Sequence, residues 1–111
     1  MTDSHKPLLK VMTDYHCWPL WISTPQDYFN VEPQDLNLPP ELSQALIDWA
    51  TDFDDILNMD DPASSAFPSP EAEEAFVVLG MELARQVKAL LSERYEVMYF
   101  DLLKRRLVEV P

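Results

Sequence analysis

The stretch from Glu41 to about Leu57 repeats apolar residues at intervals of three and four, which is the spacing of one helix face. The repeating residues are Leu42, Ala45, Leu46, Trp49, Ala50, Phe53, Ile56 and Leu57. Placed at about 100° intervals, they cover an arc of roughly 140°, which is enough to bury one side of a helix. Two prolines precede the stretch, and proline suits the first turn of a helix. The pattern predicts an amphipathic helix that needs a second layer to cover it.

A second helix is predicted from Ser69 to about Glu93. Ser69 is a suitable N-cap, Pro70 takes the first helical position, and three glutamates follow where the positive end of the helix dipole favours them. Its predicted core face consists of Ala72, Ala75, Phe76, Leu79, Leu83, Val87 and Leu90. This helix can supply the partner face that the first helix needs.

Three short segments have the apolar and β-forming composition of strands. They are 8–15 (LLKVMTDY), 95–100 (YEVMYF) and 105–110 (RRLVEV), and we expect the first two to pair. A chain of 111 residues with 47% hydrophobic residues is long enough for one core and too short for two. The sequence therefore predicts one α+β domain over residues 1–111, in which two amphipathic helices pack on one face of a small, mainly antiparallel sheet.

The segment of about 16–40 carries five prolines and is predicted to be a long loop. Long loops are commonly functional or fastened by their own side chains. Trp18 and Trp21 are expected to fasten this loop to the core. Asp27, Tyr28 and Phe29 lie near its middle and are candidates for a partner-binding surface, because aromatic residues anchor many interfaces.

The charge of the chain is strongly one-sided. The formal net charge is −12, and residues 11–84 hold 15 of the 20 acidic residues and none of the eight basic ones. Nucleic-acid binders need clustered Lys and Arg, so this distribution argues against a DNA or RNA partner. A solubility charge is one explanation. A cationic protein partner is the explanation that we favour.

The acidic residues also have a pattern within the first helix. Helical spacing places Glu41, Asp48, Asp52 and Asp55 along one flank of the apolar stripe, where like charges repel at some cost to the helix. Asp60 and Asp61 follow shortly after, in a stretch without any lysine or arginine. These six carboxylates are the predicted contacts for a basic partner.

Metal binding and catalysis have weak support in the sequence. No register of the acidic stretch fits an EF-hand loop, and His5, His16 and Cys17 do not complete a four-ligand zinc site. Adjacent side chains in extended chain point apart, so His16 and Cys17 do not form a base and nucleophile pair. We therefore expect no enzyme activity, cofactor or metal, although a divalent-cation site at the Asp52–Asp61 carboxylates remains an alternative.

The compartment is inferred from further features. The single cysteine excludes an internal disulfide, the first residues lack a signal-peptide core, and no apolar run reaches the roughly 18 residues of a membrane span. We expect a cytoplasmic protein without a membrane partner.

Three runs carry a resemblance to a known group of proteins. YHCWPLW (15–21), LNLPPELSQALIDWATDFDDILN (36–58) and DDPASSAF (60–67) resemble immunity proteins of contact-dependent growth inhibition systems, over about residues 8–100. The resemblance implies a cytoplasmic protein that binds and neutralises the C-terminal toxin domain, often a nuclease, of its own strain's effector. It carries no residue roles. An acidic adaptor or antitoxin-like regulator of another basic protein is the alternative of a different class.

Overall fold

The computed structural model describes residues 6–56 and 66–111, which form a five-stranded sheet and two long helices. The strands are β1 (Leu8–Val11), β2 (Leu20–Ser23), β3 (Tyr28–Val31), β4 (Glu96–Asp101) and β5 (Arg106–Glu109). The α-helices are α1 (Pro40–Asp54) and α2 (Pro70–Leu91), and a 3-10 helix covers Pro33–Leu36. The predicted α+β class is confirmed.

The sheet has the strand order β3-β2-β1-β4-β5. Only the central pair, β1 with β4, is parallel, with Leu9 opposite Val97, and the other three pairs are antiparallel. The predicted pairing of 95–100 with 8–15 and the mainly antiparallel sheet are therefore confirmed. The parallel pair is possible because both helices lie in the connection between β3 and β4, which lets the chain cross back over the sheet.

Both helices cover the same face of the sheet. Side chains alternate along a strand, so Leu9 and Val11 of β1 and Tyr99 of β4 point to one side, and all three are fully buried. They share one hydrophobic core with both helices and the 3-10 segment. That core contains Leu9, Val11, Leu20, Leu36, Leu38, Leu42, Leu46, Trp49, Phe76, Val77, Leu83, Ala84, Val87, Leu91, Val97, Tyr99 and Val110.

The helix starts follow the sequence signals. The Ser69 hydroxyl accepts a hydrogen bond of 3.0 Å from the main-chain N–H of Ala72, as expected of an N-cap. The first helix begins at Pro40 and ends at Asp54, a little before the predicted end.

The predicted loop over 16–40 is wrong. This segment holds β2, β3 and the 3-10 helix. Its prolines lie just outside the regular elements or begin them: Pro19 precedes β2, Pro25 is in the β2–β3 turn, and Pro33 opens the 3-10 helix. Proline is tolerated at these positions because no ladder hydrogen bond is lost there. The prolines therefore mark the ends of short strands and do not prevent them.

The predicted core face of α2 is partly wrong. Leu79 and Leu90 are 45% and 53% exposed, whereas Val77, Ala84 and Leu91 are buried. The helix is thus rotated so that its buried stripe also includes the only glycine, Gly80. The reason is a close contact at this glycine.

Two aromatic side chains reach the main chain of α2 beside Gly80. The indole of Trp49 donates a hydrogen bond of 3.0 Å to the carbonyl of Phe76, and the hydroxyl of Tyr99 donates one of 2.9 Å to the carbonyl of Val77. A Cβ atom at Gly80 would lie less than 3.0 Å from both aromatic side chains. Glycine is therefore required here for close approach, and the contact joins α1, α2 and β4.

We expect Gly80→Ala to destabilise the protein despite the better helix propensity of alanine. Overpacking costs about 1–3 kcal/mol, which exceeds the gain of about 1 kcal/mol from the propensity. Because the added Cβ overlaps two buried aromatic side chains, the cost lies in the upper part of this range, and urea unfolding should show a net loss of roughly 1–2 kcal/mol. In a Tyr99→Phe background, where one of the overlapping atoms is gone, the same substitution should cost less. Equal costs in the two backgrounds would contradict this account of the packing.

The stability should fall at alkaline pH because of Tyr99. Burial, with a smaller contribution from the Asp101 carboxylate, raises the pKa of Tyr99 above its ordinary value. Below about pH 10 tyrosine is neutral in both states, so the contribution of Tyr99 to stability is fully present. Above that pH the unfolded chain loses the proton first, and the free energy of unfolding decreases. Unfolding curves at pH 9 and pH 11 should show a smaller loss for Tyr99→Phe than for the parent.

Candidate partner-binding surface

The structure places four of the predicted acidic residues along one side of α1. Glu41, Asp48, Asp52 and Asp55 are all exposed, on the flank beside the buried stripe of Leu42, Leu46 and Trp49. We refer to these four residues as the acidic flank. Asp55 is the C-cap of the helix, where a negative charge faces the unfavourable end of the helix dipole.

The carboxylates of the acidic flank have little compensation. Asp48 accepts a hydrogen bond of 2.9 Å from the side chain of Gln44, which is neutral. Among residues 6–56 and 66–111 the single ion pair joins Arg85 to Glu82 on α2, at 3.6 Å. The negative charge of the flank is thus available to an external cation or cationic surface.

Asp54 has a different role from its neighbours. Its carboxylate accepts a hydrogen bond of 2.8 Å from the main-chain N–H of His16, which has a φ of 59°. The rings of Tyr15 and Phe53 stack beside it with centroids 4.6 Å apart. These contacts fasten the β1–β2 turn to the end of α1. Asp54 therefore stabilises the fold and does not join the acidic flank.

An apolar groove of about 510 Å³ lies next to the acidic flank, between the end of α1 and the first turns of α2. Asp52 and Asp55 border it. Its apolar walls are formed by Ile56, Phe67, Pro68, Ala72, Ala75, Phe76 and Leu79. Sequence reasoning missed this groove because it assigned Ala75 and Leu79 to the core. A stripe of Val77, Gly80, Ala84 and Leu91 on the adjacent side of the helix fits the helical spacing equally well, so spacing alone does not reveal the groove.

Asp27, Tyr28 and Phe29 do not lie in a loop centre. Asp27 closes the β2–β3 turn, and the two aromatic residues begin the edge strand β3, where they are 51% and 48% exposed. Because the β1–β2 turn that contacts α1 lies at the other end of β2, Asp27 is separated from the end of α1. The structure thus gives two separate candidate surfaces.

The predicted role of Trp18 and Trp21 as anchors to the core is wrong. Trp18 is 39% exposed, and neither residue is part of the core. Trp21 lies on the sheet face opposite the helices, where its ring stacks on Tyr28 at 5.4 Å and its indole donates to the carbonyl of Met12 at 3.0 Å. These contacts stabilise the β1–β2–β3 meander.

The remaining predicted contacts, Asp60 and Asp61, lie outside the described residues.

Within the part of the chain that the structure describes, no three His, Cys, Asp or Glu side chains lie close enough together to hold a metal ion. Desolvation, with smaller contributions from Asp14 and Asp54, raises the pKa of Cys17, which disfavours its nucleophilic thiolate.

No helix within residues 6–56 and 66–111 has both the length and the apolar character of a membrane span.

The fold and this surface define a class: a small acidic α+β protein with uncompensated carboxylates on one helix flank. A family model described as "Serratia CdiI immunity protein-like" matches residues 7–102. The chain therefore belongs to this family of immunity proteins of contact-dependent growth inhibition, as its sequence resemblance predicted. No curated protein matches it.

The different roles of two adjacent carboxylates at the end of α1 can be tested by alanine substitution. Asp54→Ala removes the acceptor of the His16 N–H, so the free energy of unfolding should fall by about 1 kcal/mol. Asp55→Ala removes an unfavourable charge at the helix end and should leave the stability unchanged or slightly higher. Both substitutions replace aspartate by alanine at neighbouring positions, so thermal unfolding compares them directly. Equal melting temperatures would contradict the assignment of Asp54 to the fold.

Proposed function

We propose that the protein neutralises a basic toxin domain, of the nuclease type, by binding it through the acidic flank and the apolar groove beside it. Membership of the immunity protein family provides the partner class, which is a cognate toxin. This membership favours an immunity function over a general acidic adaptor or a cation-binding domain. We further propose that the protein acts in the cytoplasm, where such a toxin would act.

The observation that carries the proposal is the combination of charge and shape at the end of α1. Asp52 and Asp55 are exposed and border the apolar groove. Affinity at protein interfaces comes mainly from apolar anchors in water-excluding pockets, while surrounding charges raise the association rate. A nuclease domain has a cationic surface for phosphate groups. An apolar toxin side chain would fill the groove, and a Lys or Arg beside it would pair with Asp52 or Asp55.

Inhibition follows from this mode of binding without any chemistry by the immunity protein. A protein that occupies the phosphate-binding surface of a nuclease excludes the nucleic acid by volume and by charge. The net charge of −12 also repels the substrate of the toxin from the complex. Binding beside the active site would have the same electrostatic effect on substrate approach.

The binding test uses the cognate toxin domain in a catalytically inactive form, and stopped-flow fluorescence measures its association with and dissociation from this protein. The association rate of the parent should decrease as salt rises, while the dissociation rate changes less. Asp52→Asn with Asp55→Asn should weaken binding at least about tenfold, because charges that face cations in a desolvated interface are costly to remove. The fold should remain intact, and the melting temperature should rise slightly as repulsion is relieved.

The matched control is Glu96→Gln with Glu109→Gln. It changes the net charge equally, at exposed positions on strands β4 and β5. Its affinity should stay within about threefold of the parent. Equal weakening by the two double variants would show that total charge matters and that the acidic flank is not the interface. An association rate that does not change with salt would exclude electrostatic steering.

A further inference from the structure

Strand β3 is an outer edge of the sheet, and within residues 6–56 and 66–111 it pairs only with β2. The N–H of Thr24 bonds to the carbonyl of Asp27 at 2.9 Å, which makes this a hydrogen-bonded pair of the antiparallel ladder. Hydrogen-bonded and non-bonded pairs alternate. Phe29 and Val31 therefore direct their main-chain groups to β2, whereas Tyr28 and Asn30 direct theirs outward. Among the described residues, no side-chain or turn hydrogen bond reaches the main-chain N–H or C=O of Tyr28 or Asn30 either.

The β3 edge, although short, lacks the proline, the charged residues and the bulge that often protect an edge strand. Its sequence, YFNV, contains no proline and no charged residue, and its pairing with β2 runs without a bulge. The opposite edge differs. Strand β5 begins with Arg106 and ends with Glu109, and Lys104 and Arg105 precede it. Of the two edges of the sheet that the described residues form, the β3 edge is therefore the one that has an uncharged, open row of main-chain donors and acceptors with aromatic side chains beside it.

The β3 edge is also held in place before any partner arrives. The Asn30 amide donates to the carbonyls of Trp18 and Leu20 at 2.7 and 3.1 Å, and its oxygen accepts from the N–H of Trp18 at 2.9 Å. The ring of Tyr28 stacks on Trp21, and the Lys10 ammonium lies 4.5 Å from the centroid of the same ring. An incoming strand meets an ordered template, so little conformational entropy is lost on this side.

The charges around β3 favour a basic segment over a second copy of this chain as the strand that pairs with it. Asp27 lies at one end of the strand, and Glu32 and Asp35 follow the other end. A second copy of this chain, paired antiparallel, would bring Asp27 of one copy toward Glu32 of the other. Like charges across a strand pair are destabilising. A segment with basic residues near its ends meets opposite charge at both ends instead.

We propose that the β3 edge accepts an extended segment of the toxin domain as a sixth strand. The segment would have Lys or Arg near its ends and apolar side chains packed beside Tyr28 and Phe29. Main-chain hydrogen bonds to Tyr28 and Asn30 provide the pairing, and the side chains on the two faces provide selectivity. This inference rests on the proposed function, because the partner is the same toxin, and it adds a second contact surface to the acidic flank.

Residue-resolved hydrogen exchange of the parent protein, free and bound to the inactive toxin domain, tests the pairing. The amides of Tyr28 and Asn30 should exchange quickly in the free protein and at least tenfold more slowly in the complex. The amides of Phe29 and Val31 already bond to β2 and serve as internal controls that change little. Unchanged exchange at Tyr28 and Asn30 in a formed complex would overturn the proposal. Protection in the free protein that increases with its own concentration would assign the edge to a second copy and also overturn it.

A pair of variants at one position provides an independent measurement. Tyr28→Ala removes the ring and keeps the N–H, whereas Tyr28→Pro removes both, at an edge position where proline breaks no bond to β2. The proline variant should bind the toxin domain at least about tenfold more weakly than the alanine variant. Equal affinities would overturn strand pairing while leaving the proposed function intact. Failure of the parent to bind the toxin domain would instead overturn the proposed function, and this inference with it.

Discussion

The contact of Trp49 and Tyr99 with the main chain of α2 is the constraint on which the rest of the structure depends. The two aromatic side chains come from α1 and β4, and they donate to the carbonyls of consecutive residues, Phe76 and Val77. The Trp49 ring also stacks on that of Phe76, with centroids 4.9 Å apart. Since the three elements meet at one glycine, their rotations relative to each other are fixed together. This rotation turns the acidic flank of α1 outward and leaves Leu79 of α2 at the surface, so a contact in the core determines what the surface offers.

The carboxylates of the chain divide into two groups with different physical roles. With one glycine available, the chain places His16, Asn37 and Arg105 at positive φ, and aspartates hold two of these turns. Asp54 accepts from the N–H of His16, and Asp101 accepts from the N–H groups of Leu103 and Lys104 just before Arg105. The exposed carboxylates of the acidic flank hold no such turn. The needs of the fold thus explain Asp54 and Asp101, and a partner is the explanation that we propose for the flank.

Much of the fold could be predicted because its longest elements carry strong periodic signals. The first helix has an unbroken apolar stripe, and the second has Ser69 and Pro70 at its start, so both were placed within a few residues. Strands β2 and β3 have four residues each, too few for a period of two to stand out beside the neighbouring prolines. The exact face of α2 was missed because Ala75 and Leu79 fit a helical stripe as well as Val77 and Ala84 do. Only the tertiary contact at Gly80 decides between the two stripes.

The candidate surface was predictable in its charge and not in its shape. Spacing along one helix places Asp48, Asp52 and Asp55 on one flank, whatever the helix packs against. The groove beside Asp52 needs the relative rotation of two helices, and the open edge at Tyr28 needs the strand order of the sheet, neither of which local sequence contains.

This difference bears on recognition. Any basic protein surface is attracted to a row of carboxylates, so charge alone raises association rates without selecting one partner. A groove requires a side chain of matching shape, and an edge strand requires an extended segment in a suitable register. The features that would let an immunity protein select one toxin are therefore those that arise only when the chain is folded.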